Sequence, residues 1–151
     1  MLIEGKFTLK VPIQEAWDKL LSPETLASCI PGCEKMEPID EKTYDCVVKQ
    51  KVGPISVRFK FTTTLTKINP PTHLEAIGSG EDVGKAGTFN QKTTVDLKEV
   101  SAGEVEVSYR SDVTIVGRLA TFGDRIMRAK AKDVEERFTH ALQEKLQGGK
   151  S

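Results

Sequence analysis

Three cysteines, two histidines and one glycine-rich run are the features of this 151-residue chain whose types and spacing bear on chemistry. Cys29-Ile30-Pro31-Gly32-Cys33 is a C-x3-C pair, Cys46 stands alone, and His73 and His140 lie far off in sequence. A zinc site needs four ligands with a second clustered pair, so buried or incidental thiols are the expectation here. Gly78 through Ala86 superficially suggests a phosphate loop. The glycine spacing is wrong for one, alanine follows Lys85 where a hydroxyl is required, and Glu81 and Asp82 would repel phosphate. A hairpin turn is expected instead. A nucleophile–base pair would need Ser or Cys beside His with an orienting acid. Acid–base work would need carboxylates on a pocket face. Glu4, Glu75, Asp96, Glu104 and Glu106 mostly fall on polar strand faces, and Asp45 and Asp112 belong to polar rows. No catalytic constellation and no metal set emerge.

The elements that must position any site are clearer. Ile3, Phe7, Leu9 and Val11 alternate with charged and polar residues, a half-buried strand. Pro12 stops it, and Ile13, Ala16, Trp17, Leu20 and Leu21 follow at amphipathic-helix spacing. Ser22-Pro23 reads as the cap and first residue of a second short helix, which buries Leu26, Cys29 and Ile30. Strand-like alternation then covers 43–52, 55–66, 73–79, 88–97 and 105–115, broken by Gly53-Pro54, Asn69-Pro70-Pro71, the glycines between 78 and 87, and Ala102-Gly103. This alternation precedes residues 117–146, which read as one long amphipathic helix. This order predicts an α+β domain: a curved antiparallel seven-stranded sheet, two short helices closing one end, and a long C-terminal helix across the hollow face, enclosing a cavity. One domain over 1–147 is expected, with a short tail at 148–151.

Composition narrows the function. Twenty-two basic and 22 acidic side chains cancel, so bulk charge gives no reason to expect nucleic acid as a partner. No signal-peptide core and no membrane-length apolar run are present, so a cytoplasmic protein is expected. The informative row is the one facing the long helix. Phe59, Phe61, Phe89, Tyr109, Leu119, Phe122 and Ile126 are expected to line a cavity, with Thr63, Gln91 and the Tyr109 hydroxyl as sparse polar anchors. Cys29 and Ile30 at the end of the second helix join this ligand-binding set. Any half-buried sheet under a helix needs such residues for its core, and that blander reading stands beside the functional one. On the other side of the helix, Arg118, Arg125, Arg128 and Lys132 form a basic stripe suited to an acidic partner or anionic headgroups, or simply to solvent.

Ile30-Pro31-Gly32 after the short helices, Val52-Gly53-Pro54 followed by Phe59, Pro70-Pro71 after a Thr-rich strand, and Gly117-Arg118-Leu119-Ala120 with Phe122-Gly123 and Arg125 resemble the CoxG family, named for a subunit of carbon monoxide dehydrogenase. The resemblance runs over about residues 1–146. It implies the START-like, or SRPBCC, helix-grip fold. It also implies a non-catalytic accessory protein, with no intrinsic cofactor, that holds a lipid or quinone-like molecule between sheet and helix. The implied partner is a molybdenum-containing, carbon monoxide dehydrogenase-type hydroxylase, helped toward the cytoplasmic membrane or toward quinone. Many members of that family carry a further hydrophobic or amphipathic C-terminal tail, whereas this chain ends at Gly148-Gly149-Lys150-Ser151. The basic stripe alone is expected to give weak, salt-sensitive contact with the inner face of the membrane. The alternatives are a small cyclase- or hydrolase-type enzyme of the same fold, and a protein–protein scaffold without a ligand.

Overall fold

The strict alternation of the strand segments becomes a single sheet in the computed structural model, which describes residues 1–146. The strands are β1 (Leu2–Leu9), β2 (Cys33–Pro38), β3 (Thr43–Val52), β4 (Ile55–Asn69), β5 (His73–Asp82), β6 (Thr88–Ser101) and β7 (Glu104–Val116). Every neighbouring pair is antiparallel, in the order β1-β7-β6-β5-β4-β3-β2. Helices α1 (Ile13–Leu20) and α2 (Pro23–Cys29) separate β1 from β2, and α3 (Gly123–Leu146) ends the described chain. The seven-stranded helix-grip architecture is as expected from the sequence. The expected boundary at 147 and the tail at 148–151 lie outside the described residues.

Two details differ from the sequence reading. The edge strand β2 shows no alternation, because Glu34, Lys35 and Glu37 are all exposed and a register shift falls between Cys33 and Lys35. The segment 117–146 is also not one helix. Arg118–Phe122 forms a 3-10 turn, and α3 starts only at Gly123. Gly117 (φ 106°) and Gly123 (φ 80°) bracket the turn in a backbone region that side chains with a Cβ rarely enter, so the chain bends twice before the long helix begins.

The register places two dry clusters on the inner face of the sheet. At the end near α1 and α2, Leu9, Val11, Trp17, Leu97, Val105 and Val107 pack with Leu142 and Leu146 of α3. At the other end, Val52, Val57 and Ala86 pack with Leu119 of the 3-10 turn, supported by Phe122 and Met127. Each fully buried aliphatic side chain contributes about 1.5–3 kcal/mol. Helix α3 is therefore held at its two extremes. Of its 24 residues only Leu142 and Leu146, in the last turns, are fully buried. At 1.5 Å per residue the helix is about 36 Å long, and most of that length lies above the sheet without a sealed contact.

Candidate functional site: the hollow under α3

Between the two clusters the inner face carries side chains that are neither buried nor exposed. Cross-strand register brings Thr63, Gly78, Gln91 and Val113 into one row and Phe61, Gly80, Phe89 and Ile115 into the next. Phe89 is the hub of an aromatic trio: its ring meets Phe59 at 5.1 Å and Phe61 at 5.2 Å, both edge-on. All three rings are half-buried, as are Met127, Ala131 and Val134 on α3. An aromatic floor under a helix that does not close on it is an apolar surface still seeking cover.

A polar belt crosses this floor. The Gln91 amide donates to Thr93 Oγ1 at 2.7 Å, and Thr93 and Ser111 share a hydrogen bond of 2.8 Å. Two residues along β7 from Ser111 stands Tyr109, half-buried on the same inner face. Gly5, opposite Tyr109 in the β1–β7 pairing, lets the ring lie flat against the sheet, since a Cβ there would collide with the Tyr109 hydroxyl oxygen. Burial, with the charge of Glu135 second, raises the Tyr109 phenol to about 12. The hydroxyl is thus a fixed hydrogen-bond donor at neutral pH, not a base.

Strand β1 pairs with β7 from Leu2, opposite Asp112, and Met1 exchanges hydrogen bonds with Val113. There a cleft of about 200 Å³ opens between β7 and the start of α3, bounded by Met1, Val113, Ile115, Ala120, Asp124 and Met127. A larger concavity of about 460 Å³ lies on the other, outer face of the sheet, among Thr62, Thr64, Ser79, Asn90, Lys92 and Thr114. It is an open trough that holds Ile77 among threonines and Lys92 and contains no aromatic ring. The inner face, with its three rings, is the candidate site.

Most of the residues expected from sequence lie on that face. Phe59, Phe61, Thr63, Phe89, Gln91 and Tyr109 share the inner face. Leu119 belongs to the dry cluster that holds the near end of α3, and Phe122 packs against that cluster, as Phe59 also does. Ile126 is 41% exposed, a margin position rather than a lining one. Cys29 is buried in the cluster near α1, and Ile30 caps α2, so neither joins the aromatic trio. Of the basic stripe, Arg118, Arg125 and Lys132 are exposed, while Arg128 donates to the Leu2 carbonyl at 2.6 Å and ties α3 to β1.

Sequence reasoning missed Thr93, Ser111 and Glu135. The first two carried a usable signal, since polar residues stand there in phase with apolar ones; Glu135 carried none. The glycine-rich run is a hairpin, as expected. Burial pushes the Asp82 carboxyl up, but the backbone N–H groups of Ala86, Arg58 and Gly84 outweigh it and hold the group below the usual carboxylate range. His73 is half-buried on the outer face, where it bonds Asp96 and Glu75, the latter at 2.8 Å. Among the described residues no group of three His, Cys, Asp or Glu is placed to hold a metal ion, and no helix is long and apolar enough to cross a membrane.

Known proteins share this architecture. A conserved protein from Geobacillus kaustophilus superposes with a TM-score of 0.91 at 25% identity, over 99% of this chain and 97% of that one. The Zhui aromatase/cyclase from a Streptomyces species aligns with a TM-score of 0.72 at 11% identity, over 97% and 93% of the two chains. A START superfamily protein from Mycobacterium smegmatis gives 0.71 at 10% identity, over 97% of each. At those low identities the last two speak for the fold alone. No curated protein sequence matches the chain. The family model for CoxG, a subunit of carbon monoxide dehydrogenase, matches residues 5–147, and with nearly the whole chain covered, the protein belongs to the CoxG family.

Proposed function

We propose that this protein is a non-catalytic binding module that holds one apolar molecule, lipid or quinone-like, under α3 and serves a carbon monoxide dehydrogenase-type molybdenum hydroxylase. One observation carries the binding half. Helix α3 is pinned by Leu119 before it and by Leu142 and Leu146 at its end, while the aromatic floor between the pins stays half-exposed. A helix evolved only to complete a core would bury its middle turns as well. The partner half rests on the family description. The exposed cations Arg118, Arg125 and Lys132, with Arg128 beside them, offer a surface for an acidic subunit or for peripheral contact with anionic headgroups at the inner face of the membrane.

The test is thermal-shift screening of delipidated protein against quinones and fatty-chain compounds, paired with native mass spectrometry. A stabilising apolar ligand bound one to one supports the proposal. A flat screen with only the bare chain mass refutes it.

A second reading, an enzyme of the cyclase or hydrolase kind, is favoured by the Glu135 carboxylate beside Tyr109. The two separate by extracting the ligand after prolonged incubation: a carrier returns it unchanged, an enzyme returns a product.

A further inference from the structure

We infer that Gly78 marks where the widest part of the ligand rests: the hollow takes a molecule that carries a ring, and the ring lies on the bare backbone of β5 at that residue. This rests on the binding reading above and narrows it from an apolar molecule to a ringed one. Gly5 on β1 and Gly78 and Gly80 on β5 all face inward on the sheet. Two of them answer a packing need. A Cβ at Gly5 would collide with the Tyr109 ring, and one at Gly80 with Lys60 and Phe61 of β4. Gly78 has no such reason. A Cβ there would meet the Thr63 hydroxyl at 3.4 Å and the Thr62 carbonyl at 3.6 Å, both ordinary contacts, and no atom of α3 within 4 Å. Nor does the backbone require glycine, since Gly78 is not among the residues with positive φ.

Glycine inside a strand weakens it, because it loses more backbone freedom on folding than any other residue and brings no side chain to pack. A glycine that no neighbour fills is a place where a ligand can approach the backbone closely. Its surroundings say what kind of ligand. One row along stand Phe61 and Phe89, whose rings meet edge-on at 5.2 Å. Directly across the pairing are Thr63 and Gln91. The Gln91 amide donates to Thr93 Oγ1 at 2.7 Å and has a second N–H to give. A methylene chain has one width along its whole length and gains nothing from a single missing side chain. A ring is wider than the chain that carries it, and a flat ring fits a gap one residue across. There its rim meets Phe61 and Phe89 in the edge-to-face geometry that aromatic groups favour. An oxygen on the rim accepts from Gln91.

The experiment compares 4-hexylphenol with dodecan-1-ol, which share carbon number and a single hydroxyl, on delipidated protein by isothermal titration calorimetry. Gly78→Val sets a branched side chain in the gap. It is expected to weaken 4-hexylphenol about tenfold or more and dodecan-1-ol by less than about threefold, with Gly78→Ala between wild type and Gly78→Val for the phenol. Ligand-free Gly78→Val is expected to melt about 2–4 °C higher, because valine suits a strand and nothing stands in its way. A lower melting temperature would mean that the place is already filled, and overturns the inference. An equal loss for both probes, a loss for neither, or wild-type binding of dodecan-1-ol alone also overturns it while leaving the binding reading intact. Wild-type protein that binds neither probe overturns both.

Discussion

Ala131→Leu is expected to raise the melting temperature of the ligand-free protein and, in the same molecule, to weaken ligand uptake. Ala131 lies on α3 between Met127 and Glu135 and is half-buried, above the part of the sheet where nothing on the helix is sealed. Leucine adds three carbons at about 0.8 kcal/mol for each one buried. Discounted by half for the open setting, the gain is about 1 kcal/mol, or about 2–4 °C in Tm for a chain of this size. Alanine and leucine are both good helix formers, so helix propensity contributes little. In a filled core the same substitution would overpack and cost about 1–3 kcal/mol. The two accounts thus predict opposite signs. The assays are differential scanning calorimetry of the delipidated protein and titration with whichever apolar ligand the screen identifies. A fall in Tm, or a rise with ligand affinity untouched, refutes the idea that the helix spans a hollow.

The remaining predictions test its supports. Leu142→Ala removes a pin with no exposed surface and should cost about 2–5 kcal/mol by chemical denaturation; a loss below about 1 kcal/mol would mean α3 is not held there. The His73 imidazole, bonded to Asp96 first and Glu75 second, has its pKa raised above the ordinary 6.5. Its contribution to stability is accordingly full below the unfolded value and lost as pH rises through the folded one. Proton NMR titration of the ring checks this, and a midpoint at or below 6.5 contradicts it. Asp82 is held low, so its contribution is present above the unfolded carboxylate value and lost as pH falls through the depressed one. Asp82→Asn should lower stability at neutral pH and flatten the acid limb of a pH–stability curve; an identical acid limb would count against the Asp82 clasp. The double variant Arg118→Glu/Arg125→Glu should abolish salt-sensitive capture of a dehydrogenase subunit or of anionic vesicles without moving the melting temperature. Capture that survives would place the contact surface elsewhere.

Most of the fold was legible because a sheet with one covered face forces a period of two on its sequence. The row Phe59, Phe61, Thr63 and Leu65 could be read without coordinates for that reason. Strand β2 was not, since an edge strand dominated by charges has no covered face to impose a pattern. The helix start was misplaced because 117–122 has helix-compatible composition, and only the left-handed backbone at Gly117 and Gly123 separates the turn from α3. The floor of the site was legible for the same reason as the strands. Its polar belt is half legible: Thr63 and Gln91 stand out at apolar phase, while Thr93 and Ser111 in the neighbouring row pass for ordinary strand residues. Glu135 could not be found by pattern. A polar residue on a helix margin looks the same in sequence whether it faces water or a tyrosine hydroxyl.

Whether a guest molecule occupies the space beneath α3 is tested most directly by isotope-filtered NMR on labelled protein with an unlabelled apolar ligand. Nuclear Overhauser contacts are expected from the ligand chain to the rings of Phe61 and Phe89 below and to the methyl groups of Met127 and Val134 above. Contacts confined to the outer face around Thr62 and Thr114, or none at all, would contradict the account.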